Sequence, residues 1–107
     1  MPTLVAPDQI IDRWHEVGIS DDLLTQALGV DRRTFERWRS GERYPQHEAR
    51  RKLAALAALH THLLDTFEAV EAAREWLHTD SRYLGGMKPA DAIRADRIDR
   101  VEAALEA

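Results

Sequence analysis

Cysteine is absent from this 107-residue chain, and its absence excludes several classes of protein. Disulfide-stapled folds, thiolate zinc sites and cysteine nucleophiles all need the missing side chain. No stretch approaches the roughly 20 apolar residues that a membrane helix requires, and the N-terminal Met1-Pro2-Thr3 lacks the form of a signal peptide. We therefore expect a cytoplasmic protein that has no membrane partner.

Catalytic motifs are missing as well. No glycine-rich segment resembles a phosphate-binding loop, and Ser81 has neither a neighbouring base nor a nucleophile-elbow sequence around it. The chain is therefore predicted not to be an enzyme and to need no cofactor.

Two groups of side chains keep a metal site open as an alternative. His60 and His62 are two residues apart, which on a helix turns the rings away from each other, so solvent-facing or partly packed histidines are expected. Carboxylates recur at spacings of three and four in a second group: Asp65, Glu68, Glu71 and Glu75. This stripe could hold a hard cation, but a solvated or partner-facing helix edge is the simpler interpretation. We predict no metal, and a small helical enzyme or metal-binding protein remains the alternative from another class.

Helix-forming residues, by contrast, are abundant. The composition, 44% hydrophobic and 32% charged, is typical of globular proteins, and sustained alternation of apolar and polar residues is missing. An all-α fold is therefore expected. Caps and breakers predict three short N-terminal helices, with Pro7, Ser20 and Asp31 at their starts and Gly18, Gly29 and Gly41 at their ends.

The second half of the chain is expected to begin with a long helix from about Gln46 to Phe67, followed by continued or new helix to Leu77. The stretch 78–89 contains Gly85, Gly86 and Pro89 and reads as a loop. Pro89 then begins a short helix, and Asp96 is predicted to cap the last helix.

Positive charge is concentrated in one short segment. The net charge is −4, yet residues 31–52 contain eight basic and four acidic residues, whereas the segments on both sides are acidic. Such a local patch governs binding more than the overall charge does. A nucleic-acid partner therefore stays possible, and a solvated basic helix face is the bland alternative.

The segment 20–41 is predicted to form a helix-turn-helix, because two short helices flank Gly29 and the second helix is basic. The start of the second helix in this motif reads base edges in the major groove. We expect Arg32 to project outward there and Arg33, Thr34 and Arg37 to enter the groove. Phosphate contacts are expected from Arg39, Arg43, Arg50 and Arg51.

Residues 24–41, LTQALGVDRRTFERWRSG, resemble the Xre (Cro/repressor-like) helix-turn-helix pattern. The shared features are a leucine, the Leu-Gly-Val turn, a polar cap and Arg-Trp before a glycine. Thr25 departs from the pattern, since that family usually places alanine there. The resemblance implies binding to operator DNA.

The C-terminal stretch contains a characteristic order and spacing of these residues: Trp76, Leu77, Leu84, Gly86, Pro89, Ile93, Arg100 and Val101. In this pattern it resembles the toxin-binding domain of the Xre/MbcA/ParS antitoxin family. Trp76 and Leu84 are expected to hold the loop against the core. The chain is accordingly divided into a DNA-binding region with its connecting helix, 1–67, and a toxin-binding module, 68–107.

This resemblance implies a type II antitoxin that neutralises a RES-type, NAD-degrading toxin and represses the shared operon. Relatives commonly continue into a glycine-containing tail, but this chain ends at Ala107, so we expect the loop and last helix to occlude the toxin. The residues assigned to toxin binding are Tyr83, Leu84, Gly86, Met87, Lys88, Arg97 and Arg100.

A homodimer is expected, because helix-turn-helix repressors pair on two-fold operators. Leu59 falls off the main apolar stripe of the long helix, which predicts a place in the dimer interface. A stand-alone transcriptional regulator without a toxin, whose C-terminal half only dimerises, is the alternative within the same fold.

Overall fold

The computed structural model describes residues 6–107, and over that range the chain is helical, with no β-strand. The helices are α1 (Pro7–Glu16), α2 (Asp21–Leu28), α3 (Arg32–Ser40), α4 (His47–Phe67), α5 (Val70–Leu77), α6 (Pro89–Arg94) and α7 (Ile98–Glu106). A short 3-10 turn, Arg82–Leu84, lies between α5 and α6. The all-α expectation is confirmed. None of these helices is long and apolar enough to cross a membrane.

The boundaries of α2 and α3 come from local chemistry. Ser20 Oγ accepts a hydrogen bond from the amide of Leu23 (3.2 Å), and Asp31 Oδ1 accepts one from the amide of Thr34 (2.7 Å). Each cap satisfies an amide that lacks a partner within its helix. Gly29 ends α2 at φ 69°, a left-handed conformation that glycine adopts without strain. The predicted caps and turn of the helix-turn-helix are confirmed.

Helix α4 is the central element and contacts α1, α2, α5 and α7. Trp14 of α1 is fully buried, and its indole Nε1 donates a hydrogen bond to the carbonyl of Leu56 (3.2 Å). Leu59 has no exposed surface at all. Its predicted role in a dimer interface is therefore wrong: because α4 is surrounded on several sides, residues outside one apolar stripe are also buried.

His60 is also in the core, with 5% of its surface exposed and its ring edge-on to Trp14 at 5.6 Å. The expectation of a solvent-facing or partly packed side chain is wrong for this residue. Burial lowers the pKa of His60, since the charged ring would lose its hydration. His62 does remain partly exposed and lies 2.7 Å from Glu102 of α7.

Two junctions in the C-terminal half differ from simple capping. Helix α4 ends at Glu68, whose φ of 61° is left-handed, so α5 is a separate helix. Asp96 does not cap α7: its backbone is also left-handed (φ 61°), and Arg97 occupies the N-cap position without a side-chain cap. The Asp96 carboxylate lies 3.3 Å from Lys52 Nζ of α4 instead. The Asp96 side chain, which the local sequence predicted as a helix cap, instead forms an ion pair with a residue distant in the chain.

The N-terminal and C-terminal segments share one hydrophobic core. Ala73, Leu77, Ile93 and Val101 belong to the same cluster of buried residues as Trp14 and the α2–α3 side chains. Hydrogen bonds also join the segments, since Arg74 donates to the carbonyl of Glu16 (2.7 Å) and His78 donates to that of Gly18 (3.1 Å). The division at residue 67 thus crosses a continuous core, and its functional meaning stays a prediction.

Candidate DNA-facing and partner-facing surfaces

The first surface is the outer face of α3, where the predicted base-reading residues lie. Arg33 is exposed and forms no ion pair with any residue of the described range 6–107. Arg37 is partly exposed, and its Nε lies 3.7 Å from Glu42. Thr34 is half-buried. Arg33 is therefore the arginine of this helix most available to a ligand.

Arg32 is committed to intramolecular contacts. It donates hydrogen bonds to Asp22 (2.9 Å) and Glu36 (3.2 Å) and lies 3.5 Å from Asp21. The hydrogen bond to Glu36 raises the pKa of Arg32. These contacts join α2 to the start of α3.

Arg39 joins α3 to α1 and α2 in the same way. Its guanidinium lies 3.4 Å from Asp12 and 3.5 Å from Asp21, and Asp21 also accepts a hydrogen bond from His15. The predicted contacts of Arg32 and Arg39 with DNA would have to compete with these carboxylates. This pairing could not be predicted from the sequence, because Asp12 and Asp21 are distant from Arg39 along the chain.

The remaining predicted phosphate contacts surround the α3–α4 connection. Arg43 and Arg50 are exposed, and Arg51 lies 3.7 Å from Glu48 within α4. Tyr44, which sequence analysis did not single out, is 55% exposed, with the guanidinium carbon of Arg50 6.0 Å from its ring centre. The available signal was an aromatic residue set among basic ones, a pattern common at nucleic-acid interfaces.

The second surface is formed by the loop before α6 together with α7. The amide of Gly86 donates to the carbonyl of Ser81 (2.8 Å), and the amide of Ser81 donates to that of Met87 (3.0 Å). These bonds close the loop on itself. Gly85 and Gly86 both have positive φ (67° and 89°), so the tight return of the chain depends on glycine at these two positions.

This loop exposes large apolar side chains and is anchored by others. Tyr83 is 66% and Met87 39% exposed, whereas Leu84 and Trp76 are half-buried and pack against the core, as expected. Trp76 also contacts Phe67, with ring centres 5.6 Å apart. The loop therefore presents Tyr83 and Met87 from a supported backbone.

Helix α7 lies beside the 3-10 turn of this loop. Tyr83, Arg100, Ala103 and Ala104 line a shallow groove between the two elements. Gly86, Lys88 and Arg97 are exposed. The structure brings Tyr83 next to Arg100, and Met87 and Lys88 follow in the same loop.

Among residues 6–107, no three or more His, Asp or Glu side chains are assembled into a group that could hold a metal ion. Asp65, Glu68 and Glu75 are exposed on α4, its C-cap and α5, respectively. His60 and His62 point into different environments.

These observations define a class: an all-helical protein with a helix-turn-helix and, apart from it, a loop that exposes Tyr83 and Met87. Residues 62–107 match the family model described as the antitoxin Xre/MbcA/ParS C-terminal toxin-binding domain. The resemblance drawn from the spacing of Trp76, Leu84, Pro89 and Arg100 is thereby confirmed.

Individual curated proteins are similar to this chain over most of its length. The chain is 29% identical over 102 residues to the probable mycobacterial cidal antitoxin Rv3188 of Mycobacterium tuberculosis, covering 95% of this chain and 86% of the relative. It is 26% identical over 91 residues to the mycobacterial cidal antitoxin MbcA of Mycobacterium bovis, covering 85% and 80%. The expectation of an antitoxin-type sequence is confirmed at this level.

The fold has a solved counterpart in the crystal structure of the M. tuberculosis MbcT–MbcA toxin–antitoxin complex. The TM-score is 0.70 and the sequence identity 24%, with 98% of this chain and 94% of that chain covered. The likeness shows a shared all-α fold over nearly the whole length.

Proposed function

We propose that this protein is the antitoxin of a type II toxin–antitoxin system and binds a RES-type, NAD-degrading toxin through the loop and α7. The observation that carries the proposal is the exposure of Tyr83 and Met87 on a loop closed by its own hydrogen bonds, within the segment 62–107 that matches a toxin-binding domain. Aromatic residues and methionine are enriched at interface centres. A loop that is already ordered also loses little entropy on binding.

The test is co-expression of this protein, tagged, with the untagged product of the neighbouring gene. We expect the two to co-purify. We also expect cellular NAD to fall when the neighbouring gene is expressed alone and to be preserved when this protein is co-expressed with it. The double variant Tyr83→Ala/Met87→Ala should lose at least ~2 kcal/mol of binding free energy if both residues are hot spots, which is roughly 30-fold in Kd.

The matched control is Tyr44→Ala, which removes the other exposed tyrosine, in the α3–α4 connection. Toxin binding should be unchanged in this variant. Normal neutralisation by the double variant would place the contact elsewhere. A protein that binds DNA but not the neighbouring gene product would be a stand-alone regulator.

We further propose that α2 and α3 bind operator DNA and repress the operon. The support is the cap and turn geometry at Ser20, Gly29 and Asp31, together with the exposed Arg33 on the second helix. A homodimer would present two copies of α3 to half-sites about 34 Å apart. Sedimentation as a monomer at micromolar concentration would contradict the dimer, and equal affinity for upstream and scrambled DNA would contradict sequence-specific repression.

A further inference from the structure

The loop–α7 surface, defined here as Arg82, Tyr83, Met87, Lys88, Arg97 and Arg100, carries positive charge that the protein itself does not neutralise. None of its four cationic residues forms an ion pair with another residue in the range 6–107. All four are exposed. Nearby cations outside this surface are paired: Arg94 lies 3.6 Å from Asp91, and Lys52 lies 3.3 Å from Asp96.

Two of the three carboxylates of α7, those of Asp99 and Glu102, lie away from this surface. Asp99 lines a different groove, together with Arg51 and Lys52 at the start of α4. Glu102 is bound to His62. Asp99 and Glu102 therefore do little to offset the charge beside Tyr83, even though the segment 53–107 is acidic overall.

The groove at the centre of this surface has a mixed lining. Ala103 and Ala104 contribute apolar methyl groups, Tyr83 contributes one wall, and Arg100 brings a guanidinium. The apolar lining between Tyr83 and the alanines suits an aromatic or aliphatic side chain. A carboxylate beside it would satisfy Arg100 with paired hydrogen bonds, the geometry that guanidinium favours.

We infer that the partner of the loop–α7 surface is an acidic face of the toxin, on which one apolar side chain enters the Tyr83–α7 groove and carboxylates meet Arg82 and Arg100. This inference rests on the proposed antitoxin function and adds the chemistry of the partner. Opposite charges at an interface speed association and select the partner, and both effects weaken with salt.

The experiment measures affinity and association rate for the untagged product of the neighbouring gene at ionic strengths from about 0.05 to about 0.5 M, a range over which the Debye length falls severalfold. We expect the association rate to fall with rising salt by at least tenfold. Arg82→Glu and Arg100→Glu should each weaken binding at least tenfold at low salt, and less at high salt. Ala103→Trp, which fills the groove from an exposed position, should weaken binding at all salt concentrations.

Asp99→Lys is the control, because it changes the charge on the same helix by the same magnitude, with opposite sign, but lies in the groove beside α4. Its affinity should stay within about threefold of the unaltered protein, and circular dichroism should confirm that every variant is folded. Binding that is insensitive to salt, or equally affected by Arg100→Glu and Asp99→Lys, would overturn the acidic partner while leaving the antitoxin function standing. Failure of the unaltered protein to bind would overturn both.

Discussion

Replacing Leu59 tests quantitatively whether this residue belongs to the core of the monomer or to a dimer interface. The residue is fully buried in the middle of α4, the helix that contacts α1, α2, α5 and α7. Leu59→Ala removes buried methyl groups and leaves a cavity, which costs about 2–5 kcal/mol in comparable cores. A 107-residue domain has about 5–16 kcal/mol of total stability. The variant should therefore fold, with a Tm at least about 8 °C lower.

The assay is urea and thermal unfolding followed by circular dichroism, with sedimentation on the same samples. Leu59→Asp should fail to fold, since a carboxylate buried without a partner is far more costly than a cavity. Ala58→Asp provides the control, because the neighbouring position is exposed and should tolerate the charge. If Leu59→Asp gave a stable, folded monomer, Leu59 would belong to a dimer interface and the packing described for α4 would be incorrect.

Three further predictions concern local chemistry. Burial lowers the pKa of His60 below its ordinary 6.5, so the unfolded chain binds the proton more readily than the folded protein does. The free energy of unfolding should therefore fall as the pH drops below about 6.5 and level off below the folded-state pKa. Urea midpoints measured from pH 8 to about 5 should show this drop, and His60→Gln should reduce it. Gly29→Ala should lower the free energy of unfolding, measured in urea, by about 1–2 kcal/mol. The new Cβ meets only Lys52 Nζ at 3.8 Å, so the penalty comes from the left-handed backbone alone. A loss above about 3 kcal/mol would mean that the space around Gly29 is not open. Arg33→Ala should weaken binding to DNA upstream of the gene by about 1–3 kcal/mol and leave the affinity for scrambled DNA unchanged. Arg32→Ala should lower the Tm and leave the discrimination between the two DNAs intact. Reversed results in titrations at several salt concentrations would exchange their roles.

Local signals made most helix boundaries predictable. Ser20, Gly29 and Asp31 act through atoms within three residues of themselves, so a single sequence contains all the information that their roles require. Asp96 shows the limit of such reasoning. It has the same capping chemistry as Asp31, but its carboxylate forms an ion pair with Lys52, 44 positions earlier in the chain.

The sequence predicted which residues form the candidate surfaces, but not which of their side chains are free of intramolecular ion pairs. Tyr83 and Met87 are exposed on a loop whose anchoring residues, Trp76 and Leu84, were recognisable in the sequence. By contrast, Arg32 and Arg33 are adjacent and chemically identical, yet only Arg32 is held by carboxylates of α2 and α3. That distinction depends on how α2 and α3 approach each other, which the spacing of residues along the chain does not contain.

The continuous core that runs beneath both surfaces restricts how such a protein can evolve. Proteins built from independent modules exchange a recognition domain by recombination and keep the rest. Here Arg74 and His78 of the C-terminal segment bond to the backbone at Glu16 and Gly18, and Leu77 packs in the same cluster as Trp14. A recombination point near residue 67 would leave both halves with exposed apolar faces shaped for their former partners. Changes of partner must therefore proceed by substitutions on the exposed residues, with the specificities of the two candidate surfaces inherited together as one unit.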